Sequence, residues 1–176
     1  MFIDINKIDE DGLSFERKLD LSDLDDGAGQ AITVHDACLR GRVTRAGDGA
    51  NLVGRLDAKL GLSCARCLEG FEVAVADDFE LRLVTEDPVP GAGDDSDEDA
   101  DDALFHAPEG RADLREIATE QIYLSLPMKP VCREDCKGLC PTCGANRNVD
   151  ACECPEDNLD PRLAALRELK HRMSDR

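Results

Sequence analysis

The spacing of the cysteines constrains this chain more than any other feature. Six of its nine cysteines lie in the stretch "CREDCKGLCPTCGANRNVDACEC", which runs from Cys132 to Cys154. Eight of the nine form four close pairs, which are Cys64/Cys67, Cys132/Cys136, Cys140/Cys143 and Cys152/Cys154. Zinc binds four ligands in a tetrahedron and accepts cysteine thiolates readily, so two pairs supply one site. The eight cysteines therefore predict two structural zinc sites, each closed by four protein thiolates.

The loop lengths suggest which pairs share a metal ion. Only a short loop separates Cys143 from Cys152, so the last four cysteines could close a small zinc ribbon of their own. The other site would then be formed by Cys64, Cys67, Cys132 and Cys136. Each C-x2-C pair is followed by residues suited to a tight turn, Leu68-Glu69-Gly70 in one case and Gly144 in the other. This pairing is a hypothesis at this point.

Other thiol chemistries remain open as alternatives. The C-x3-C-x2-C spacing from Cys136 to Cys143 matches a radical-SAM motif, but such a motif needs a large βα barrel after it, and we expect none here. Another iron–sulfur cluster is an alternative, because thiolates suit both metals. A thioredoxin-like redox pair requires a C-x-x-C at a helix N-terminus, whereas Cys64/Cys67 falls between predicted strands. Cys38, the ninth cysteine, lies in an apolar stretch and is expected to be a buried small residue.

The expected compartment also favours metal over disulfides. The first residues, "MFIDINKIDEDG", lack a cationic segment followed by an apolar run, so no secretory signal is predicted. No stretch approaches the roughly 18 apolar residues of a membrane span. We therefore expect a cytoplasmic protein that does not associate with membranes. Its thiols should be reduced, which makes metal the stronger explanation for clustered cysteines.

The charge of the chain is strongly negative, at −18. The stretch "TEDPVPGAGDDSDEDADD", Thr85 to Asp102, contains acidic residues and no basic ones. Low hydrophobicity and like charges predict an acidic disordered loop over residues 85–110. It would be a solvated linker or a docking segment for a basic partner. Because a chain this acidic repels phosphates, basic proteins are easier partners than nucleic acids.

The amino-terminal part predicts an α+β fold built on an antiparallel β meander. Apolar residues alternate with polar ones from Ile32 to Val84, which is typical of half-buried strands. The predicted strands cover about residues 32–45, 51–62 and 71–84. Gly47-Asp48-Gly49 is a turn signal between the first two. We expect residues 1–84 to form the β-rich part of a single domain that spans residues 1–176.

Two helices are predicted after the acidic stretch. The first covers residues 111–127, with Asp113 as its N-cap, Glu116 in a capping box and Pro127 beyond its end. Its apolar face would be formed by Leu114, Ile117, Ala118 and Leu124. The second covers residues 156–176, where Asp160 precedes Pro161 at the first helical position. The predicted zinc-binding segment lies between them, over residues 128–155.

The sequence predicts a binding protein and not an enzyme. The three histidines, His35, His106 and His171, are scattered, and none is spaced from a cysteine or serine as in a nucleophile pair. No glycine-rich phosphate loop is present, and we expect no small-molecule substrate. The alternative is an RNA-binding zinc-ribbon module whose predicted C-terminal helix supplies the cations Arg162, Arg167, Lys170, Arg172 and Arg176.

Several ordered motifs together resemble a known family. They are "LSCARCLEGFEV", "LSLPMKPVC", "CKGLCPTCGANRN" with "CEC" after it, and "DPRLAALREL". They resemble the bacterial and plastid YceD family, whose members are described as large ribosomal RNA subunit accumulation proteins. The likeness runs from about residue 10 to the end, and the block from Pro130 to Asn148 is the most specific part.

The resemblance implies a non-enzymatic role in ribosome biogenesis. It implies a partner such as a basic ribosomal protein or a large-subunit precursor, with contact to ribosomal RNA as a further expectation. Only the eight paired cysteines carry over from the family, as presumed metal ligands. The acidic residues from Asp94 to Asp102 form a longer stretch than the family pattern suggests.

Overall fold

The structure is a computed structural model of the chain, and it describes residues 1–21, 24–25, 31–85 and 103–154. The chain divides into two compact units. The first comprises residues 1–63 and 70–130. The described part of the second comprises residues 64–69 and 131–154. All eight paired cysteines belong to the second unit, and the elements of regular secondary structure belong to the first.

The described residues of the first unit form eight strands and one α-helix, with two short 3-10 turns at Ile5–Lys7 and Pro108–Gly110. In chain order the elements are β1 (Phe2–Asp4), β2 (Leu13–Lys18), β3 (Leu24–Asp25), β4 (Ala31–Ala46), β5 (Gly49–Ser63), β6 (Gly70–Val84), β7 (Ala103–His106), β8 (Arg111–Asp113) and α1 (Leu114–Ser125).

The main sheet is mixed but mostly antiparallel. Its strands lie in the order β2-β4-β5-β6-β7, and β3 also pairs with β4. The pairs β2–β4, β4–β5 and β5–β6 are antiparallel, whereas β6 and β7 are parallel. A separate two-stranded sheet joins β1 to β8. The predicted meander is therefore confirmed as β4, β5 and β6, with each predicted end within two residues of the observed one.

Alternating side chains explain why these segments form strands with one buried face. On β5 the alternate residues Leu52, Gly54, Leu56, Ala58 and Leu60 are all buried. The turn between β4 and β5 has two residues, because Ala46 pairs with Gly49. Gly47 adopts a φ of +59° there, a conformation that glycine enters without steric cost.

Gly54 and Phe79 make a close packing contact between β5 and β6. Gly54 lies opposite Phe79 in the antiparallel ladder. A Cβ atom at Gly54 would lie 2.6 Å from the Cζ atom of the Phe79 ring, well inside contact distance. The aromatic ring therefore lies directly over the glycine backbone, and it contributes to the apolar core on that face of the sheet.

The helix α1 is shorter than predicted, and it buries three of the four residues predicted for its apolar face, Leu114, Ile117 and Ala118. Residues 111–113 form β8 because they pair with β1, so the helix begins at Leu114. The predicted cap is confirmed, since the Asp113 side chain accepts a hydrogen bond from the Arg115 N–H at 3.0 Å. Leu124 was expected on the buried face but is 77% exposed. The buried positions have helical spacing from Leu114 onward: Leu114, Ile117, Ala118, Gln121 and Ile122.

Two further expectations differ from the structure, and others lie beyond what it describes. Residues 103–110 are not a disordered loop, because β7 pairs with β6 and buries Phe105 opposite Leu83. Cys38 is half-buried and not buried. Residues 86–102 of the predicted acidic loop and the whole predicted second helix, 156–176, fall outside the described residues. Within the described ranges, no helix has the length and apolar content needed to cross a membrane.

Candidate metal centres

The eight paired cysteines converge into two groups of four. The first site consists of Cys64, Cys67, Cys132 and Cys136, and the second of Cys140, Cys143, Cys152 and Cys154. Within each group all sulfur atoms lie within 4.8 Å of one another. The structure therefore brings together the pairs that the loop lengths suggested, and each group could hold a metal ion.

The sulfur separations fit a tetrahedral metal site. In the first site Cys64 Sγ lies 3.8 Å from Cys136 Sγ, and Cys67 Sγ lies 3.7 Å from Cys132 Sγ. A zinc ion with Zn–S distances of about 2.3 Å at a tetrahedral centre separates its sulfur ligands by about 3.8 Å. A disulfide would require about 2.05 Å. The first site therefore has the dimensions of a four-thiolate metal site.

The first C-x2-C turn, Cys64–Glu69, is called here the first knuckle. The Cys64 N–H donates to the Glu69 carbonyl at 2.9 Å, and the Leu68 N–H donates to the Cys64 carbonyl at 2.9 Å. The Arg66 N–H points at the Cys64 sulfur, 3.4 Å away. Leu68 has a φ of +62°, in the left-handed region that disfavours any residue with a Cβ atom.

The second C-x2-C turn, residues 140–145 and called here the second knuckle, repeats the same hydrogen bonds. The Cys140 N–H donates to the Ala145 carbonyl at 2.8 Å, and the Gly144 N–H donates to the Cys140 carbonyl at 2.9 Å. Gly144 takes the position of Leu68 and has a φ of +75°. The two knuckles therefore share one backbone design, which aims two sulfur atoms to the same side of a tight turn.

Arg66 secures the two halves of the first site to each other. Its guanidinium donates to the carbonyl oxygens of Glu134 and Cys136 at 3.1 and 2.9 Å. Its own carbonyl accepts from the Leu139 N–H at 3.0 Å. Gly138 passes close to it, because a Cβ atom there would lie 2.9 Å from the Arg66 carbonyl oxygen. The knuckle and the segment around Cys136 are thus joined by hydrogen bonds as well as by their sulfur atoms.

Two asparagines that sequence reasoning missed also support the first site. Asn148 donates from Nδ2 to Cys136 Sγ at 3.3 Å, and its Oδ1 accepts from the Lys137 N–H at 2.8 Å. Asn146 Oδ1 in turn accepts two hydrogen bonds from Asn148, one from its backbone N–H at 3.0 Å and one from its Nδ2 at 2.8 Å. The signal available in the sequence was the pair of short amides in "GANRN", three and five residues after Cys143. Such outer partners orient metal ligands.

The environment of the first site gives its thiols very different pKa values. Burial raises the pKa of Cys64, but hydrogen bonds from the backbone N–H groups of Cys132, Cys67 and Arg66 outweigh it and lower that pKa to about 6. Burial and the neighbouring thiols raise the pKa of Cys132 to about 12. Despite its burial, the pKa of Cys136 is lowered as well, in part by the hydrogen bond from Asn148, whereas that of Cys67 is raised. Two of the four thiols therefore ionise more readily than the other two, and a cation among them would favour ionisation of all four.

The second site follows the same electrostatic pattern. Hydrogen bonds from the backbone N–H groups of Cys143 and Thr142 lower the pKa of Cys140 to about 6. The hydrogen bond with Cys143, followed by burial, raises the pKa of Cys154 to about 12. The positive charge of a metal ion removes this conflict, because it stabilises every thiolate at once.

The two sites differ in how much solvent reaches them. In the first site three of the four cysteines are buried, whereas in the second only Cys140 is buried and Cys143 is exposed. A metal ion held at either group would have four protein sulfur ligands, which complete a tetrahedral centre. Such sites hold structure and leave no position for a reacting water.

The remaining candidate groups do not join either site. Cys38 Sγ lies 3.8 Å from Glu16 Oε1, and burial, followed by that carboxylate, raises the pKa of Cys38. His35 Nε2 is 4.0 Å from a carboxylate oxygen of Glu72. His106 Nε2 lies 3.2 Å from the Thr85 carbonyl oxygen. His171 is outside the described residues.

Comparison with known proteins gives one family. The family model described as "Large ribosomal RNA subunit accumulation protein YceD" matches residues 52–170, which include all eight paired cysteines. No solved structure matches the chain.

Three relatives show how far the similarity extends. A maize protein named "Large ribosomal RNA subunit accumulation protein YCED homolog 1, chloroplastic" is 33% identical over 141 residues, covering 66% of this chain and 48% of the relative. The Arabidopsis thaliana protein of the same name is 25% identical over 195 residues, covering 98% of this chain and 58% of the relative. An uncharacterized protein of Mycobacterium leprae is 36% identical over 69 residues, covering 39% and 31%. The chain thus spans between about a third and three fifths of these relatives' lengths.

Proposed function

This chain belongs to the YceD family of large ribosomal RNA subunit accumulation proteins, and we propose that it supports the accumulation of large-subunit ribosomal RNA by binding and not by catalysis. The match of the family model over residues 52–170 carries this proposal. Closed thiolate sites, which stabilise structure and leave no place for a substrate, support the non-catalytic part.

The proposed cofactor is zinc, one ion in each site as a structural cross-link. The first site supports this through its sulfur separations of 3.7 and 3.8 Å. The second supports it through the same knuckle and four sulfur atoms within 4.8 Å. When bound, each ion would neutralise its thiolates. The first would join segments that are distant in the chain, and the second would close a short loop. Zinc thiolate sites supply folding free energy in this way.

The proposed partner is a basic ribosomal protein or a large-subunit precursor that contains one. The net charge of −18 favours association with a cationic surface, since long-range attraction raises the encounter rate and falls with salt. The residues from Asp94 to Asp102 concentrate part of that charge in one stretch. A cytoplasmic location remains a prediction, and the two plant relatives are named as chloroplastic.

Direct RNA binding by a zinc-ribbon module has less support. The cations that would carry it, from Arg162 to Arg176, lie outside the described residues. Within the described part of the second unit, Arg66 donates to backbone carbonyls. Arg133 pairs with Asp135 and with the Asn148 oxygen. Arg66 and Arg133 therefore already bind groups of this chain, and no contact among the described residues favours a phosphate-binding site.

Depletion in the native organism tests the family role. We expect the ratio of large to small ribosomal subunits to fall, with precursors of the large-subunit RNA disappearing instead of maturing. Expression of the wild-type chain should restore the ratio, and Cys38→Ser should restore it equally because Cys38 lies outside both sites. Cys64→Ser should restore it poorly. An unchanged subunit ratio after complete depletion would rule out the proposed role.

Co-sedimentation tests the partner. A tagged full-length chain should migrate with large-subunit precursors on a sucrose gradient, and salt should release it. Replacing the aspartates between Asp94 and Asp102 with asparagine keeps the length and removes charge, so co-sedimentation should weaken if this stretch contacts the partner. Association that survives high salt, and that ribonuclease abolishes, would instead favour direct RNA binding.

A further inference from the structure

The loop between the two halves of the second site carries the outer contacts of the first site. This loop, residues 144–151, is bounded by Cys143 and Cys152, and both of these sulfur atoms belong to the second site. Yet Asn148, inside the loop, donates to the sulfur of Cys136 in the first site at 3.3 Å. A hydrogen bond thus connects the loop of the second site to a ligand of the first, although the two sites share no ligand.

Asn148 contacts the first site on both sides of its ligand Cys136. Its Oδ1 accepts from the Lys137 N–H, immediately after Cys136, at 2.8 Å. The same oxygen accepts from the Arg133 guanidinium at 2.8 Å, immediately after Cys132. The Asn148 amide therefore contacts the sulfur of Cys136 and also the residues that directly follow Cys132 and Cys136, namely Arg133 and Lys137.

Asn146 extends these contacts to the other half of the first site. Its Nδ2 lies 3.4 Å from Glu69 Oε1, at the end of the first knuckle. Its Oδ1 accepts two hydrogen bonds from Asn148, which fixes the orientation of the Asn148 amide. The loop backbone joins in, because the Arg147 N–H donates to the Gly138 carbonyl at 2.9 Å. Both halves of the first site are thus bridged by residues of the second site's loop.

We propose that the two metal sites are energetically coupled through this loop, with Asn148 and Asn146 as positioning residues of the first site. The inference rests on the proposed zinc sites. A metal in the second site holds Cys143 and Cys152 together, which limits the conformations of the loop between them. The asparagines are then already placed against the first site. Without that metal the loop must be ordered at an entropic cost, and the first site holds its metal less tightly.

The coupling gives the sites an order of metal loss. The second site loses its metal first, because Cys143 is exposed, whereas the first site is enclosed by Cys64, Cys67 and Cys136. Loss at the second site then weakens the first. By thermodynamic reciprocity, an occupied first site also strengthens metal binding at the second by the same factor.

Zinc release from the full-length chain tests the coupling. The zinc-loaded protein is mixed with an excess of isotopically labelled zinc, which keeps both sites occupied, and the release of the original metal is followed with time by mass spectrometry. Two phases are expected in the wild type, the faster from the second site. Asn148→Ala should accelerate the slow phase by about 10-fold, as loss of an outer partner of a metal ligand does. Val149→Ala is the matched control, because this neighbouring side chain is exposed and should leave both phases unchanged.

A ligand variant of the second site distinguishes coupling from a local effect. Cys143→Ser should retain one zinc, released about as fast as the slow phase of Asn148→Ala. The double variant Cys143→Ser/Asn148→Ala should release it no faster than either single variant, because both remove the same support. Should Asn148→Ala fail to fold, Asn146→Ala serves instead, since it removes the contacts that orient Asn148.

The outcomes separate this inference from the proposed metal sites. Two zinc ions per chain, with the remaining zinc of Cys143→Ser released at the wild-type slow rate, would overturn the coupling alone. Additive effects in the double variant would overturn it as well. A wild-type chain that binds no zinc would overturn the metal sites themselves, and the coupling with them.

Discussion

The sulfur atoms of Cys64 and Cys136 lie 3.8 Å apart, although 72 residues separate the two cysteines in the chain. This distance matches the edge of a tetrahedral thiolate site and not a disulfide. A metal there closes a long chain segment, and such closures remove much conformational freedom from the unfolded state. The second site closes a far shorter segment.

A substitution in either group of four cysteines should therefore remove one metal ion from the protein. We expect two zinc ions per wild-type chain, one after Cys64→Ser, and one after Cys152→Ser, as measured by elemental analysis of purified protein. Loss of the first-site ion should lower the melting temperature more, because that ion closes the longer segment.

Cys38→Ser is the control for thiol loss in general. Its sulfur contacts Glu16 and lies outside both groups, so two zinc ions should remain. Iron in place of zinc would contradict the choice of metal, and loss of both ions on one substitution would contradict two separate sites.

The stability of the zinc-free chain should depend on pH through Cys64 and Cys140. Their pKa values in the folded chain are lowered from 9.0 to about 6. A lowered folded pKa stabilises the fold above the unfolded value, and the contribution is lost as pH falls toward the folded value. The free energy of unfolding should therefore fall as the pH drops from about 9 to about 6.

Denaturant titrations with chelator and reductant present would measure this slope. The double variant Cys64→Ser/Cys140→Ser should reduce this slope and leave the part that the lowered pKa of Cys136 contributes. Cys38→Ser should leave the slope intact over this range. A slope that is identical in all three chains would show that neither thiolate is stabilised by the fold.

Leu68 should be replaceable by glycine with a gain in stability. It adopts a φ of +62° at the position where the second knuckle has Gly144, and its side chain is 62% exposed. Glycine removes the steric cost of the left-handed conformation, about 1 kcal/mol, and little buried surface is lost. We expect Leu68→Gly to raise the melting temperature of the zinc-loaded protein.

Ala65→Gly is the matched control within the same knuckle. Ala65 is also exposed but is not among the residues with positive φ, so glycine there only adds freedom to the unfolded chain. It should lower the melting temperature slightly. If both glycine variants lowered it equally, the strain at Leu68 would be absent.

Gly54→Ala should destabilise the first unit by overpacking. The added Cβ would lie 2.6 Å from the Phe79 ring, so the ring or the strand must move, at a cost of about 1–3 kcal/mol. Chemical denaturation would measure this loss. Gly70→Ala is the control, because a Cβ there meets nothing within 4 Å. A second substitution, Phe79→Leu, should recover part of the stability, and equal stability of both alanine variants would contradict the contact.

The sequence by itself determined the elements whose signals are local. Alternating apolar residues specified β4, β5 and β6, and Gly47-Asp48 specified the hairpin turn between the first two. The Asp113 cap was readable for the same reason, because a cap needs only its own side chain and the next turn of helix. The spacing of the cysteine pairs likewise suggested how they divide into two groups.

Tertiary structure alone decided the features that depend on distant partners. β7 and β8 form because β6 and β1 supply their hydrogen-bond partners. Both strands are only three or four residues long, so their own sequences carry no pattern that predicts the pairing. Leu124 is exposed because the buried stripe of α1 runs through Gln121 and Ile122. The roles of Asn146 and Asn148 arise only when their loop meets Cys136 and Glu69. Hydrogen bonds between segments far apart in the chain have no local pattern, so only the folded chain reveals them.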